Sequence, residues 1–188
     1  MVGATDIASG LNAVAKAAQQ APGRGLPPVH LWNPAHCGAI DIVIRRDGVW
    51  MHEGSPIGRP EMVRLFSTIL RKDPDSYYLV TPVEKLSITV EDLPFRAVAV
   101  RREGDQLIFT TDRGDEVVAG ADHALEVETD PATGEPAPRV HVRGDLWARL
   151  TRPVFYELVE MASPADGALV VMSGGQTFAL GPVGEGVG

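Results

Sequence analysis

Short runs of alternating polar and apolar residues, each closed by glycine, proline or aspartate, fill most of this chain and constrain its fold more than any other feature. Ile40, Ile42 and Ile44 point one way along such a run, with Asp41, Val43 and Arg45 on the other side. A period of two places successive side chains on opposite faces of a strand, so this run predicts a half-buried strand. Arg46, Asp47 and Gly48 supply a turn, and residues 49–52 return from it as a hairpin. Further strands are predicted over 77–81 and 86–90. A meander is predicted over 95–102, 106–111 and 116–119, with turns at Gly104-Asp105 and Arg113-Gly114-Asp115. Residues 124–128 and 139–143 flank a long polar tip, 130–136, and a last hairpin over 168–172 and 177–180 turns at 173–176.

Three segments carry the helical period instead. Ile7, Leu11 and Val14 recur along residues 5–20, with Thr5 or Asp6 as the capping residue. Pro60 suits a first helical turn, where its missing N–H is not needed, and Met62, Leu65, Phe66 and Ile69 form a stripe behind it. The expected stop is Asp73-Pro74-Asp75. A third helix is expected over 152–162, with Phe155, Leu158, Val159 and Ala162 inward and Ser163-Pro164 ending it. The fold class is therefore β-rich α+β. The expected organisation is an N-terminal helix and Pro/Gly linker over 1–27, an α+β lobe over 28–94, a β-rich lobe with a helix over 95–181, and a disordered tail over 182–188.

An internal repeat is visible. Ile42-Val43-Ile44, Asp47, Trp50 and Arg59-Pro60 opening a helix are echoed by Val140-His141-Val142, Asp145, Trp147 and Arg152-Pro153. The echo predicts duplicated strand–helix–strand units, each needing a partner to cover its sheet.

Of 188 residues, 44% are hydrophobic and 22% charged, which suffices for a core with an ordinary surface. The net charge of −8 argues against a long nucleic acid, which needs a positive stripe to displace counterions. No apolar run approaches the ~18 residues that a membrane span needs. One cysteine, Cys37, excludes an internal disulfide, and no secretory leader is apparent. A cytoplasmic protein without membrane or nucleic-acid partners is expected; oligomeric state is not readable.

Several residues invite a chemical reading beside a structural one. Thr81, Glu84 and Lys85 lie in the loop 81–85 between two strands. Lys85 could hold a phosphate, Thr81 donate a hydrogen bond and Glu84 accept from a base or ribose; the plain reading is a charged turn with an ion pair worth little. Asp41 requires a partner such as Arg59 or Lys85 if it is buried. Arg59 and Arg152 open helices, where amides attract anions, or else each clamps a carboxylate across the repeats. His123 and His141, with Asp122, Glu126 and Glu128, raise the question of a metal, yet no pair has zinc-ligand spacing, so none is expected. Cys37 beside His36 could be a nucleophile, but adjacent residues on an extended segment face apart, which favours an inert thiol. Trp32, Trp50, Trp147 and Tyr156 could stack a base, although buried aromatics ordinarily serve the core. The glycine tail lacks a following helix and a Lys-Ser/Thr pair, so it is no phosphate loop. No catalytic residues and no cofactor site are identified.

The chain from Leu31-Trp32-Asn33-Pro34 to the end of the third helix also carries a family pattern. Its parts are Cys37-Gly38, Ile40-Asp41, Asp47-Gly48 with Trp50, Pro56-Ile57-Gly58-Arg59, Thr81-Pro82-Val83-Glu84-Lys85, Gly114-Asp115, His123 with Leu125, and Val140-His141-Val142-Arg143. With these it resembles an uncharacterised bacterial family, domain of unknown function 1285; Ala124 stands where that pattern has proline. The resemblance implies a duplicated core, a C-terminal half of pleckstrin-homology-like type, a nucleotide-like ligand at the junction of the halves and a signalling role. On that basis Asp41, Arg59, Thr81, Glu84, Lys85, His123, His141 and Arg143 are the expected ligand residues. A protein-interaction scaffold is the alternative, and a hydrolase or transferase using Cys37 or His123 a further one.

Overall fold

The computed structural model describes residues 4–20 and 25–184, with side chains from Gly10 onward. The chain divides into two compact units, Met1–Glu91 and Asp92–Gly188. No helix among the described residues is long and apolar enough to cross a membrane.

The first unit begins with helix α1 (Ala4–Gln19), whose Leu11, Val14, Ala15 and Ala18 are buried. Its capping side chains at Thr5 and Asp6, and linker residues 21–24, lie outside the described residues. A short 3-10 turn (Val29–Leu31) follows, then β1 (His36–Ile44), β2 (Trp50–His52), β3 (Ser55–Pro56), α2 (Pro60–Thr68), β4 (Leu70–Asp73), β5 (Ser76–Val80) and β6 (Glu84–Val90). They form one six-stranded sheet in the order β3-β2-β1-β6-β5-β4. Its neighbours are antiparallel except at the centre, where β1 runs parallel to β6. The alternation read from sequence decides the inner face: Ile42 and Ile44 are 1% and 0% exposed. Phe66 and Ile69 of the α2 stripe are fully buried, and α1 packs on α2.

Helix α2 ends sooner than its sequence suggests. The hydroxyls of Ser67 and Thr68 turn back to donate to the carbonyls of Arg64 and Leu65, each at 2.6 Å. Such bonds compete with the helical ladder. Residues 70–73 then form the edge strand β4, and Asp73-Pro74-Asp75 belongs to its hairpin with β5 rather than to a helix stop.

The second unit contains β7 (Phe95–Glu103), β8 (Gln106–Thr111), β9 (Glu116–Val118), β10 (Leu125–Thr129), β11 (Pro136–Arg143), β12 (Leu146–Leu150), helix α3 (Arg152–Glu160), and β13 (Ser163–Ala165), β14 (Ala168–Ser173) and β15 (Gln176–Pro182). Six strands again make one sheet, β10-β11-β12-β7-β8-β9, and a three-stranded sheet β13-β14-β15 accompanies it. Ser173, 1% exposed, stitches the two: its hydroxyl accepts from the Leu107 amide at 2.8 Å and donates to the Ala119 carbonyl at 2.6 Å. The tail expected to be disordered starts inside β15, which runs to Pro182; residues 185–188 lie outside the described part.

The architecture is duplicated, but not in the units the sequence echo outlines. Each six-stranded sheet joins two three-stranded meanders by pairing its first strand in parallel with its last, β1 with β6 and β7 with β12. The echoed segments are hairpins preceding a helix in both cases, β1-β2 before α2 and β11-β12 before α3. They occupy the first two positions of one sheet and the last two of the other. Strand–helix–strand units are therefore not what repeats: α2 links the two opposite edges of its sheet, and α3 leads from one sheet to another. The echo follows local needs, since any hairpin entering a Pro-started helix draws on the same residue types.

Candidate functional site

In the first unit, the loop between β5 and β6 is built on Thr81, which is fully buried. Its Oγ1 accepts from the amides of Val83 and Glu84 at 3.3 and 3.1 Å, while its own amide donates to the Glu84 carbonyl at 2.9 Å. The hydroxyl expected to meet a ligand is thus the keystone of its turn. Glu84 is half-buried, and its carboxylate has no partner among the described residues.

Lys85 does not reach Asp41. Its ammonium lies 2.8 Å from Asp73 Oδ2 and 4.1 Å above the Tyr78 ring. Arg71 grips the same carboxylate with Nε and Nη2 at 2.7 and 2.6 Å, and its Nη1 donates to the carbonyls of Val29 and Trp32, both at 2.7 Å. The guanidinium thereby ties the 3-10 turn segment to β4. Burial works against ionising Asp73, but the hydrogen bonds and charges of Lys85 and Arg71 prevail and hold its carboxyl below the usual range.

Asp41 is exposed on β1 inside a register shift between Ala39 and Val43, and its main chain is what engages neighbours. Its carbonyl accepts from the Glu53 amide at 3.2 Å and from Nδ1 of His52 at 2.9 Å. Arg59 caps the start of α2 and is exposed, with Nη2 at 3.4 Å from Asn12 Oδ1. Glu61 in the first turn occupies the end of the helix that favours anions. Cys37 is exposed on β1 and in register with Lys85.

In the second unit Arg143 pairs with Asp115 at 2.6 Å and covers the Phe95 ring at 4.9 Å. His123 approaches the His141 carbonyl with Nδ1 at 3.2 Å, and the two rings stack at 5.4 Å. The ring nitrogens of His141 lie 3.1 Å from the Asp122 carbonyl and 2.6 Å from that of Gly144. Glu126 and Glu128 both pair with Arg139, which stands 4.4 Å over Trp147. Among the described residues no group of three or more His, Cys, Asp or Glu could hold a metal ion. Arg152 meets Glu135 at 3.4 Å within its own unit, in place of a clamp across the repeats. Arg149 holds Asp92 in a fork across both carboxylate oxygens, at 3.0 and 2.8 Å, which raises the guanidinium's affinity for its proton further.

Of the eight expected ligand residues, Thr81, Glu84 and Lys85 share one loop, His123 and His141 one stack, and the other three engage separate neighbours. The sequence reading missed Arg71, Asp73, Asp92, Arg149 and Asp115, which carry the partly buried ion pairs. The first two are two apart, and so share a face once residues 70–73 form a strand.

Two family models match consecutive parts of the chain: Domain of unknown function (DUF1285), N-terminal domain, at residues 27–93, and Protein of unknown function (DUF1285), C-terminal domain, at residues 94–180. The chain belongs to the DUF1285 family. It is similar to a DUF1285 family protein from Silicibacter pomeroyi DSS-3, whose crystal structure superposes with a TM-score of 0.83 at 48% identity, covering 92% of this chain and 96% of the other. A DUF1285 family protein from Shewanella baltica OS155 is similar at 26% identity and a TM-score of 0.51, over 63% of this chain and 90% of that one. No curated protein matches.

Proposed function

We propose that this protein is a signalling interaction module whose second unit presents an acidic surface to a basic protein segment. The observation that carries the proposal is the division of charge. Residues 1–91 hold nine basic and nine acidic side chains, whereas residues 92–188 hold eight basic and sixteen acidic, so the net charge of −8 belongs to the second unit. Six arginines of that unit are already matched to carboxylates: Arg101, Arg113, Arg139, Arg143, Arg149 and Arg152. Asp105, Asp122, Asp145, Glu157, Glu160 and Asp166 are exposed and form no ion pair among the described residues. A one-signed field of this kind steers an oppositely charged partner and rejects like-charged ones. The pleckstrin-homology-like likeness of this half is part of the same proposal. Selection from an unbiased displayed-peptide library on the full chain should enrich Lys- and Arg-rich peptides, with binding lost as salt is raised. Enrichment of neutral or acidic peptides would sink the proposal.

A second reading, a nucleotide-like small anion bound by the first unit, is favoured by one arrangement. Arg71 and Lys85 share a single carboxylate, and the ammonium keeps hydrogens for a further acceptor beside the Tyr78 ring. Thermal shifts of the full chain against a panel of nucleotides and second messengers test it, and an unmoved melting temperature throughout ends it.

A further inference from the structure

Two buried polar atoms of the first unit have no hydrogen-bond partner among the described residues: the indole Nε1 of Trp50, a residue 2% exposed, and Nε2 of His52. Both belong to the three-residue strand β2. As residues i and i+2 they share a face, and their register with Ile44 and Ile42 places that face on the side of two fully buried residues. The strand gives them no backbone acceptor or donor there, because its main chain already pairs with β1 and β3.

The proton on His52 is assigned by its other nitrogen. Nδ1 lies 2.9 Å from the carbonyl of Asp41, and a carbonyl only accepts, so Nδ1 carries the hydrogen and Nε2 presents a lone pair. An indole N–H only donates. One donor and one acceptor thus stand unanswered on one buried face. Residues two apart on a strand have Cα atoms about 7 Å apart, and side chains as long as indole and imidazole on one face can lean toward a single atom between them. Buried polar groups are nearly always partnered, by protein or by an ordered molecule.

We propose that β2 carries a binding site for one neutral hydroxyl group, which accepts from Trp50 Nε1 and donates to His52 Nε2. The chemistry excludes ionised carboxylates and ammonium groups. An ionised carboxylate accepts from the indole but brings no proton to Nε2, and an ammonium donates but cannot accept. The hydroxyl comes either from an internal water or from a small polyol. Asp41 acts here through its main chain: the register shift around it presents the carbonyl that fixes the His52 tautomer, making it a positioning residue.

A crystal structure of the full chain, after exhaustive dialysis and at a resolution that places solvent, should show one oxygen within hydrogen-bond distance of both nitrogens. A lone peak identifies water and extended density a polyol; either supports the site. Density touching neither or only one nitrogen, or the two rings bonded directly to each other, overturns it. Independently, thermal melts of Trp50→Phe, His52→Phe and the double variant should be non-additive. Once either ring is gone the shared group is lost, so the double variant's drop in melting temperature falls short of the sum of the single drops. Fully additive drops overturn the proposal.

Discussion

Replacing Arg71 or Lys85 with methionine removes one cation from the same carboxylate, yet the two losses should differ severalfold. Arg71 is 14% exposed at its side chain and makes four bonds, two to Asp73 and two to the carbonyls of Val29 and Trp32. In Arg71→Met the Trp32 carbonyl loses its donor, whereas that of Val29 keeps the Trp32 amide at 3.2 Å. One unanswered buried acceptor costs about 1–3 kcal/mol, and the lower end applies because Trp32 is only half-buried. Adding the weakened hold on Asp73 brings the expected loss to about 3 kcal/mol. Lys85 makes one bond to that carboxylate, at 2.8 Å, and Arg71 still satisfies it in Lys85→Met. Methionine also keeps a chain over the Tyr78 ring, so about 1 kcal/mol is expected. Urea unfolding of the full chain, followed by tryptophan fluorescence from Trp32 and Trp50 of the first unit, separates the two. For a unit of this size, 1 kcal/mol corresponds to roughly 4–8 °C in melting temperature. A Lys85→Met loss equal to or above that of Arg71→Met would refute the reasoning, because the ammonium would then anchor something other than a doubly held carboxylate.

Three further outcomes are expected. Because the folded carboxyl of Asp73 titrates below its ordinary value of 3.8, the stability it brings is present above that value and is lost as pH falls from there through the lower folded value; Asp73→Asn should therefore flatten the stability profile below about pH 4, measured by chemical unfolding. Arg149→Met removes the guanidinium fork from the mostly buried Asp92 carboxylate, and should lower the second unit's stability by about 2–4 kcal/mol, with little relief in high salt. Thr81→Val leaves two loop amides without their acceptor and should cost about 1–3 kcal/mol by thermal melt, with Thr81→Ser restoring most of it.

Much of the fold was legible because its strands advertise themselves by alternation. The hairpin at 46–48, the meander from Phe95 and the stripe of α2 all stand where apolar spacing puts them. The segments that escaped, β3, β4, β12 and β13, have little apolar signal of their own or sit beside a stronger one. Leu70-Arg71-Lys72-Asp73 contains a single apolar residue, and its place in the sheet depends on β5 and on the ion pairs of Arg71, which are tertiary. Strand β12 did carry alternation, with Leu146, Ala148 and Leu150 buried between Trp147 and Arg149, but it sits directly beside the Pro-started helix α3. Chemical type alone points to candidate ligand residues, and type does not reveal whether a group is already occupied. Lys85 and Arg143 are legible as cations, but Asp73 and Asp115 that hold them are brought near only by folding.

The parallel pairing of first strand with last has a consequence for synthesis. As the chain leaves the ribosome, β1 and β7 each expose one bare hydrogen-bonding edge until the sixth strand of their own sheet arrives. A sheet cut short after five strands is not a slightly smaller sheet but two separate three- and two-stranded ribbons with a seam missing from the middle. Each six-stranded sheet is thus closed in a single late step, so a premature stop before Glu84 or Leu146 leaves sticky edges rather than a shortened sheet.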